Sequence, residues 1–171
     1  MRSKMILALV MTTCLVLPGC GGGGGDGGTP TPTFMLGNTM DAGETADAMQ
    51  VLALTNQHRA ANGGLPPLTY HAGATQAATD HCVYMMQQNN LSHTGPTGLV
   101  DPGQRLTQAG VTWTAWRENI AQGQVGPTQV VNAWIASPGH NTNMLATDTT
   151  HLGVGKITAG GPWWTQKFFR P

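Results

Sequence analysis

Charge is what this sequence has least of. Lysine, arginine, aspartate and glutamate make up 9% of its 171 residues, eight of each sign. No basic stripe or acidic tail is present, so there is no electrostatic footprint for a nucleic acid. Cysteine is equally sparse, with only Cys14, Cys20 and Cys82. Cys14 and Cys20 fall in the N-terminal segment, and a domain left with Cys82 alone has no internal disulfide and must be held by its core. There is no internal repeat, no Gly-x-Ser-x-Gly elbow and no His-Glu-x-x-His helix. Their absence removes the usual signatures of a serine hydrolase and of a zinc protease. Gly153-Val154-Gly155 is a lone Gly-x-Gly, too little for a nucleotide site and better read as close packing in a sheet.

The N-terminus reads as an address. Arg2 and Lys4 precede an apolar stretch over 5–17, then Leu17-Pro18-Gly19-Cys20. The stretch is too short for a membrane span and fits a secretory signal peptide over 1–20. Its end resembles the lipobox of bacterial lipoproteins, in which the cysteine is acylated. That implies lipidation at Cys20, a membrane partner through the anchor, and an envelope location, the outer membrane in a double-membraned cell because Gly21 rather than Asp follows. The alternative is a protein secreted without an anchor. Removing 1–20 leaves six Lys/Arg against eight Asp/Glu, a formal charge of −2. Residues 21–40, rich in Gly, Thr and Pro, cannot bury enough apolar surface to fold and are expected to form a tether. As a flexible coil such a tether spans about 25 Å.

Residues 41–171 suffice for one domain. Asp41 with Glu44 makes a capping box, and Met49, Leu52, Ala53, Asn56 and Ala60 recur at helical spacing until Asn62-Gly63-Gly64. A second helix is expected over Ala72–Gln88, burying Ala74, Ala77, Ala78, His81, Cys82 and Met85. His81 is then a core histidine bonded to backbone, and Cys82 a small buried hydrophobe. Asp101-Pro102 caps a short helix over 103–109. Residues 113–121 have strand character, which puts Trp116, Glu118 and Ile120 on one face. Desolvation there would raise the Glu118 pKa. Pro127–Ala136 forms a helix that Pro138-Gly139 ends, with His140 on the exit turn. Two strands over 151–158 and 163–169 flank a four-residue loop as a hairpin. Helices, strand, helix and hairpin in that order give an α+β layered domain.

Three polar clusters carry the chemistry: Ser92-His93-Thr94-Gly95, Arg117-Glu118-Asn119-Ile120, and Ser137-Pro138-Gly139-His140. Two imidazoles and a carboxylate could assemble one site from distant segments, as a divalent cation such as zinc requires. The bland alternative is that His93, Glu118 and His140 hydrogen-bond across a cleft and fix its loops. Ser137 with His140 lacks an orienting acid, so Ser137 reads as a helix terminus rather than a nucleophile. Asn119 reads as a tie to backbone.

Asn56 and Arg59, the Ser-His-Thr-Gly and Glu-Asn-Ile-Ala clusters, Trp134 with Ser137-Pro138-Gly139-His140-Asn141, His151-Leu152-Gly153-Val154-Gly155 and Thr165-Gln166-Lys167-Phe168 follow one another in a familiar order. This order resembles the bacterial branch of the CAP superfamily, whose domain is also called SCP. The resemblance covers residues 46–170. It implies an α-β-α sandwich with a central antiparallel sheet and a cleft holding a divalent cation through two histidines and two glutamates. His93 matches the first histidine and Glu118 a glutamate. His140 is the candidate for the second histidine, with His151 as its rival. The second glutamate position is Ser137 here. The resemblance implies an envelope module that binds a lipid, glycan or protein ligand in the cleft lined by His93, Glu118, Ser137 and His140. The alternative is a metal-assisted hydrolase using His93, Glu118 and His140.

Overall fold

The computed structural model describes residues 37–171. The expected signal peptide, Cys20 and tether residues 21–36 lie outside the described residues. Among the described residues, five helices and four strands follow in the order α1 (Ala42–Ala61), β1 (Thr69–Tyr70), α2 (Ala72–Gln88), α3 (Pro102–Gln108), β2 (Ala115–Gln122), α4 (Pro127–Ala136), α5 (Pro138–Met144), β3 (His151–Ile157) and β4 (Trp163–Arg170). The sheet order is β1-β3-β4-β2. β4 pairs antiparallel with β3 and β2, while β1 adds a two-residue parallel edge to β3. Helices α2 and α3 cover one face, and α1, α4 and α5 the other. This is the expected α-β-α sandwich.

Strand periodicity explains the two layers. Along β4, Trp163 and Phe169 enter the clusters beneath α2, while Trp164 and Phe168 enter the core beneath α1 and α4. Each fully buried large side chain of this kind contributes about 1.5–3 kcal/mol. Gly153 and Gly155 face α2 at a separation no other residue tolerates. A Cβ at Gly153 would lie 2.2 Å from the Ala74 carbonyl carbon, and one at Gly155 2.4 Å from the Thr79 nitrogen. The helix therefore rests on bare backbone of β3.

The α2 stripe is buried as its spacing predicts, and the β3–β4 hairpin and α4 form where expected. The first helix differs in phase. Its buried residues are Glu44, Ala48, Val51, Leu52, Thr55 and Arg59, while Met49, Ala53 and Ala60 are exposed. Polar residues occupy half of that buried face because each finds partners. Thr55 accepts from Gln166, and Arg59 donates to the carbonyls of Pro66, Met144 and Ala146. Pro138 does not leave a turn behind it. It occupies the first turn of α5, where its fixed φ and missing N–H are tolerated, so His140 lies on a helix.

The expected tether boundary at residue 40 falls inside a docked segment. The Gly37 and Asn38 amides donate to the Asp80 carboxylate at 3.4 and 3.0 Å, and the Asn38 carbonyl accepts from Gln76 at 2.8 Å. Met40 packs on the α1 core.

Candidate functional site: a buried ion cluster beneath a cleft

Glu118 lies directly opposite Lys167 in the β2–β4 register. Both side chains point toward α2, and Lys167 Nζ forms an ion pair with Glu118 Oε2. From the first turns of α3, Arg105 Nη2 donates to both carboxylate oxygens, at 3.1 and 3.0 Å. His93 Nδ1 lies 2.8 Å from Oε1. His81 Nε2 donates to the Ser92 carbonyl at 2.9 Å and sits 3.9 Å from Oε1. The side chains of Glu118, Arg105, Lys167 and His81 are at most 1% exposed, whereas that of His93 is 54% exposed. His93 is therefore the point at which the cluster meets solvent.

The loop before α3 is shaped by Arg105. Its guanidinium collects the carbonyls of His93, Leu99 and Val100 at 2.9–3.0 Å. Gly95 lets the backbone pass, since a Cβ there would meet the Leu99 oxygen at 2.3 Å and Arg105 Nη1 at 2.7 Å. That contact gives the Ser-His-Thr-Gly cluster its glycine.

The charges determine the chemistry. Burial favours the protonated carboxyl of Glu118, but Lys167, the His93 hydrogen bond, His81 and Arg105 outweigh it. The pKa is held well below the usual carboxylate range, the reverse of the rise expected from its apolar strand. Burial lowers Lys167 to about 8, against the pull of Glu118. Burial also lowers His81 to about 3, so it is neutral at pH 7. An ionised carboxylate only accepts, so His93 must donate through Nδ1–H, which turns its Nε2 edge outward.

A divalent cation does not fit these residues. Both oxygens of Glu118 are committed to cations, and two buried positive charges stand against one negative. A metal would add charge of the wrong sign to a low-dielectric site. Ser137, where a second carboxylate would help, is the residue between α4 and α5, and its side chain caps neither. No hydrogen bond joins it to His140 among the described residues. His140 is half-buried, and its pKa is lowered by burial and then by the charge of His93. Asn119 donates to the His140 carbonyl at 3.1 Å and to Gln166 at 3.0 Å. His151 packs against His71 and Phe169 instead. Arg105 and Lys167 were not legible as members of the site. Lys167 had one signal, a lysine inside a strand otherwise bound for the core.

Above the cluster, His93, Pro102, Trp116, Arg117, Glu118 and Asn143 line a cleft of about 340 Å³. A larger depression of about 570 Å³, lined by Leu99, Gln104, Gln108 and Trp113 among others, contains none of the ion cluster. What the smaller cleft offers is an oriented imidazole and polar side chains. Among the described residues, no nucleophile is bonded to that imidazole.

Comparison with known proteins agrees with this fold. The family model for the cysteine-rich secretory protein family (CAP) matches residues 52–168. The uncharacterized protein YkwD of Bacillus subtilis is 36% identical over 119 residues, 70% of this chain and 45% of the relative. The uncharacterized membrane protein YlbC of the same organism is 33% identical over 74% of this chain and 35% of its own length. The chain thus spans less than half of either relative. Among solved structures, an extracellular protein containing an SCP domain from Bacillus anthracis str. Ames superposes with a TM-score of 0.71 at 29% identity, covering 79% of this chain and 45% of that one. An outer surface protein of Borrelia burgdorferi, 22% identical over 79% of this chain and 98% of its own, shares the fold with a TM-score of 0.67.

Proposed function

This chain belongs to the cysteine-rich secretory protein (CAP) family, and from that premise we propose that it is an exported recognition module of the bacterial cell envelope, anchored by a lipid on Cys20. Its ligand, a lipid, glycan or protein segment, enters the cleft at His93. The observation that carries the recognition reading is the commitment of both Glu118 oxygens to Arg105, Lys167 and His93. A carboxylate so engaged orients groups rather than reacting. Support for export comes from the signal-like segment over 1–20 and from the similar SCP-domain protein described as extracellular.

The hydrolase alternative rests on one observation, the 2.8 Å His93–Glu118 bond that orients an imidazole as in acyl-transfer sites. No nucleophile accompanies that imidazole among the described residues, and the surplus of buried cations disfavours the metal that would replace one. The test has two arms. Mass spectrometry and membrane fractionation compare the full chain with Cys20→Ser; acylated, membrane-bound wild type and a released variant are expected, and equal partition contradicts the anchor. Envelope lipids and peptidoglycan fragments are then titrated while the His93 ring resonances are followed. A ligand that shifts them in wild type and binds at least tenfold more weakly to His93→Ala supports recognition. Turnover of any of these compounds, lost in His93→Ala, supports the hydrolase instead.

A further inference from the structure

β2 is an edge strand, and its outer side is only partly closed. The Gly123 amide donates to the Pro162 carbonyl at 2.8 Å, a single bond because proline has no N–H to return, and with this phase alternation assigns residues 121, 119, 117 and 115 to the β4 ladder. The amides and carbonyls of Trp116, Glu118 and Ile120 therefore point away from the sheet. Two of these carbonyls are covered by side chains: Asn143 Nδ2 donates to the Glu118 oxygen at 3.1 Å, and Trp134 Nε1 to the Ile120 oxygen at 3.2 Å. Among the described residues, no such cover reaches the Trp116 N–H, the Trp116 carbonyl or the Glu118 N–H.

Those three groups belong to Trp116 and Glu118, which both line the cleft. Glu118 is 5% exposed as a residue but only 1% in its side chain, so the surface it shows is mainly backbone. Outward donor, acceptor and donor at alternate positions suit an added strand; one running antiparallel would exchange two bonds between Trp116 and the residue opposite it and take the Glu118 N–H on its next carbonyl but one. Beneath the strand, Arg105 and Lys167 outnumber Glu118 by one positive charge, and Arg117, paired with Asp148, stands at the rim. The buried surplus favours a negatively charged segment.

We propose that the outer edge of β2 at Trp116–Glu118 binds an extended, acidic peptide segment by strand addition. This rests on the reading of the cleft as a recognition site and names its ligand class. The cleft volume suits a short segment, with its remaining length lying over the Pro102 and Arg117 rims.

The test uses the full chain and three octapeptides: one alternating glutamate with valine, a twin with lysine for glutamate, and an acidic twin N-methylated at alternate residues. Affinity is read by fluorescence anisotropy, and the site by amide exchange of Trp116 and Glu118. The acidic peptide is expected to bind and to slow both amides at least tenfold. Binding should weaken at least tenfold for the lysine twin and for the methylated twin. Equal affinity for all three, binding that leaves both amides unprotected, or no binding at millimolar peptide overturns the proposal. If peptides fail while a lipid or glycan shifts His93, strand addition falls and the recognition reading stands; if nothing binds, both fall.

Discussion

Replacing Glu118 by glutamine removes the one negative charge that compensates Lys167 and Arg105, with little change of volume. Both cations are at most 1% exposed and neither can reach water without opening the α3 layer. Breaking a buried pair by removing one partner costs about 3–5 kcal/mol. At about 3–5 °C per kcal/mol for a domain of this size, the melting temperature should fall by about 9–25 °C. Lys167→Met is the discriminating partner variant. It leaves Glu118 with its two Arg105 hydrogen bonds and brings the cluster from one surplus positive charge to neutrality. Since replacing buried charge with apolar volume is often neutral or stabilising, the expected cost is below about 1.5 kcal/mol. Urea denaturation of wild type and both variants at pH 7 measures the difference. A Lys167→Met penalty equal to or larger than that of Glu118→Gln would refute the charge accounting. So would a Glu118→Gln protein as stable as wild type.

Stability should also depend on alkaline pH in a two-limbed way. Lys167 titrates at about 8 when folded against 10.5 when exposed, so the unfolded chain binds more protons between these values and stability rises with pH there. Cys82 is pushed up to about 12 by burial against an ordinary 9.0, so the unfolded chain loses its proton first and stability falls above pH 9. Denaturation midpoints should rise from pH 8 to 9 and then level off; Lys167→Met should abolish the rise and Cys82→Ala the opposing fall. On the acid side, His81 stays neutral to about pH 3 when folded, so stability should decline from pH 6.5 downward, with the Glu118 contribution lost progressively below the ordinary carboxylate range. Far-UV dichroism across pH 3–7 should show that decline. Gly153→Ala places a methyl against the α2 backbone and should cost about 1–3 kcal/mol or more as an overpacking change, measured by thermal melting. Asp80→Ala removes the acceptor for the Gly37 and Asn38 amides and should speed their hydrogen exchange without moving the global midpoint by more than about 1 kcal/mol.

The readable parts of the fold were those in which apolar spacing and burial coincide. The α2 stripe, the β3–β4 hairpin and the glycines of β3 are of this kind, because small or apolar residues meet one another there. The first helix differs in phase because Thr55 and Arg59 are buried by virtue of partners distant in sequence, Gln166 and the carbonyls of Met144 and Ala146 at the end of α5. β1 is only two residues long and paired through backbone, so it left no periodicity to find. Ser92-His93 and Glu118-Asn119 were legible as clusters, and the fold brings His93 and Glu118 into contact. The ion pair beneath them was not, since the pairing of Lys167 with Glu118 is set by strand register and the reach of Arg105 by the loop wrapped on it. A sequence with three scattered ligand types looks like a metal site until the charges opposite the carboxylate are placed.

The most direct test of the central claim, that Glu118 is committed to an internal ion cluster and orients His93, is the tautomer of that histidine. Nitrogen-15 chemical shifts of the His93 ring should show Nδ1 protonated in wild type, with that preference lost in Glu118→Gln. A wild-type ring protonated at Nε2 alone, or one bound through Nε2 to added zinc with Glu118 as a co-ligand, would contradict it.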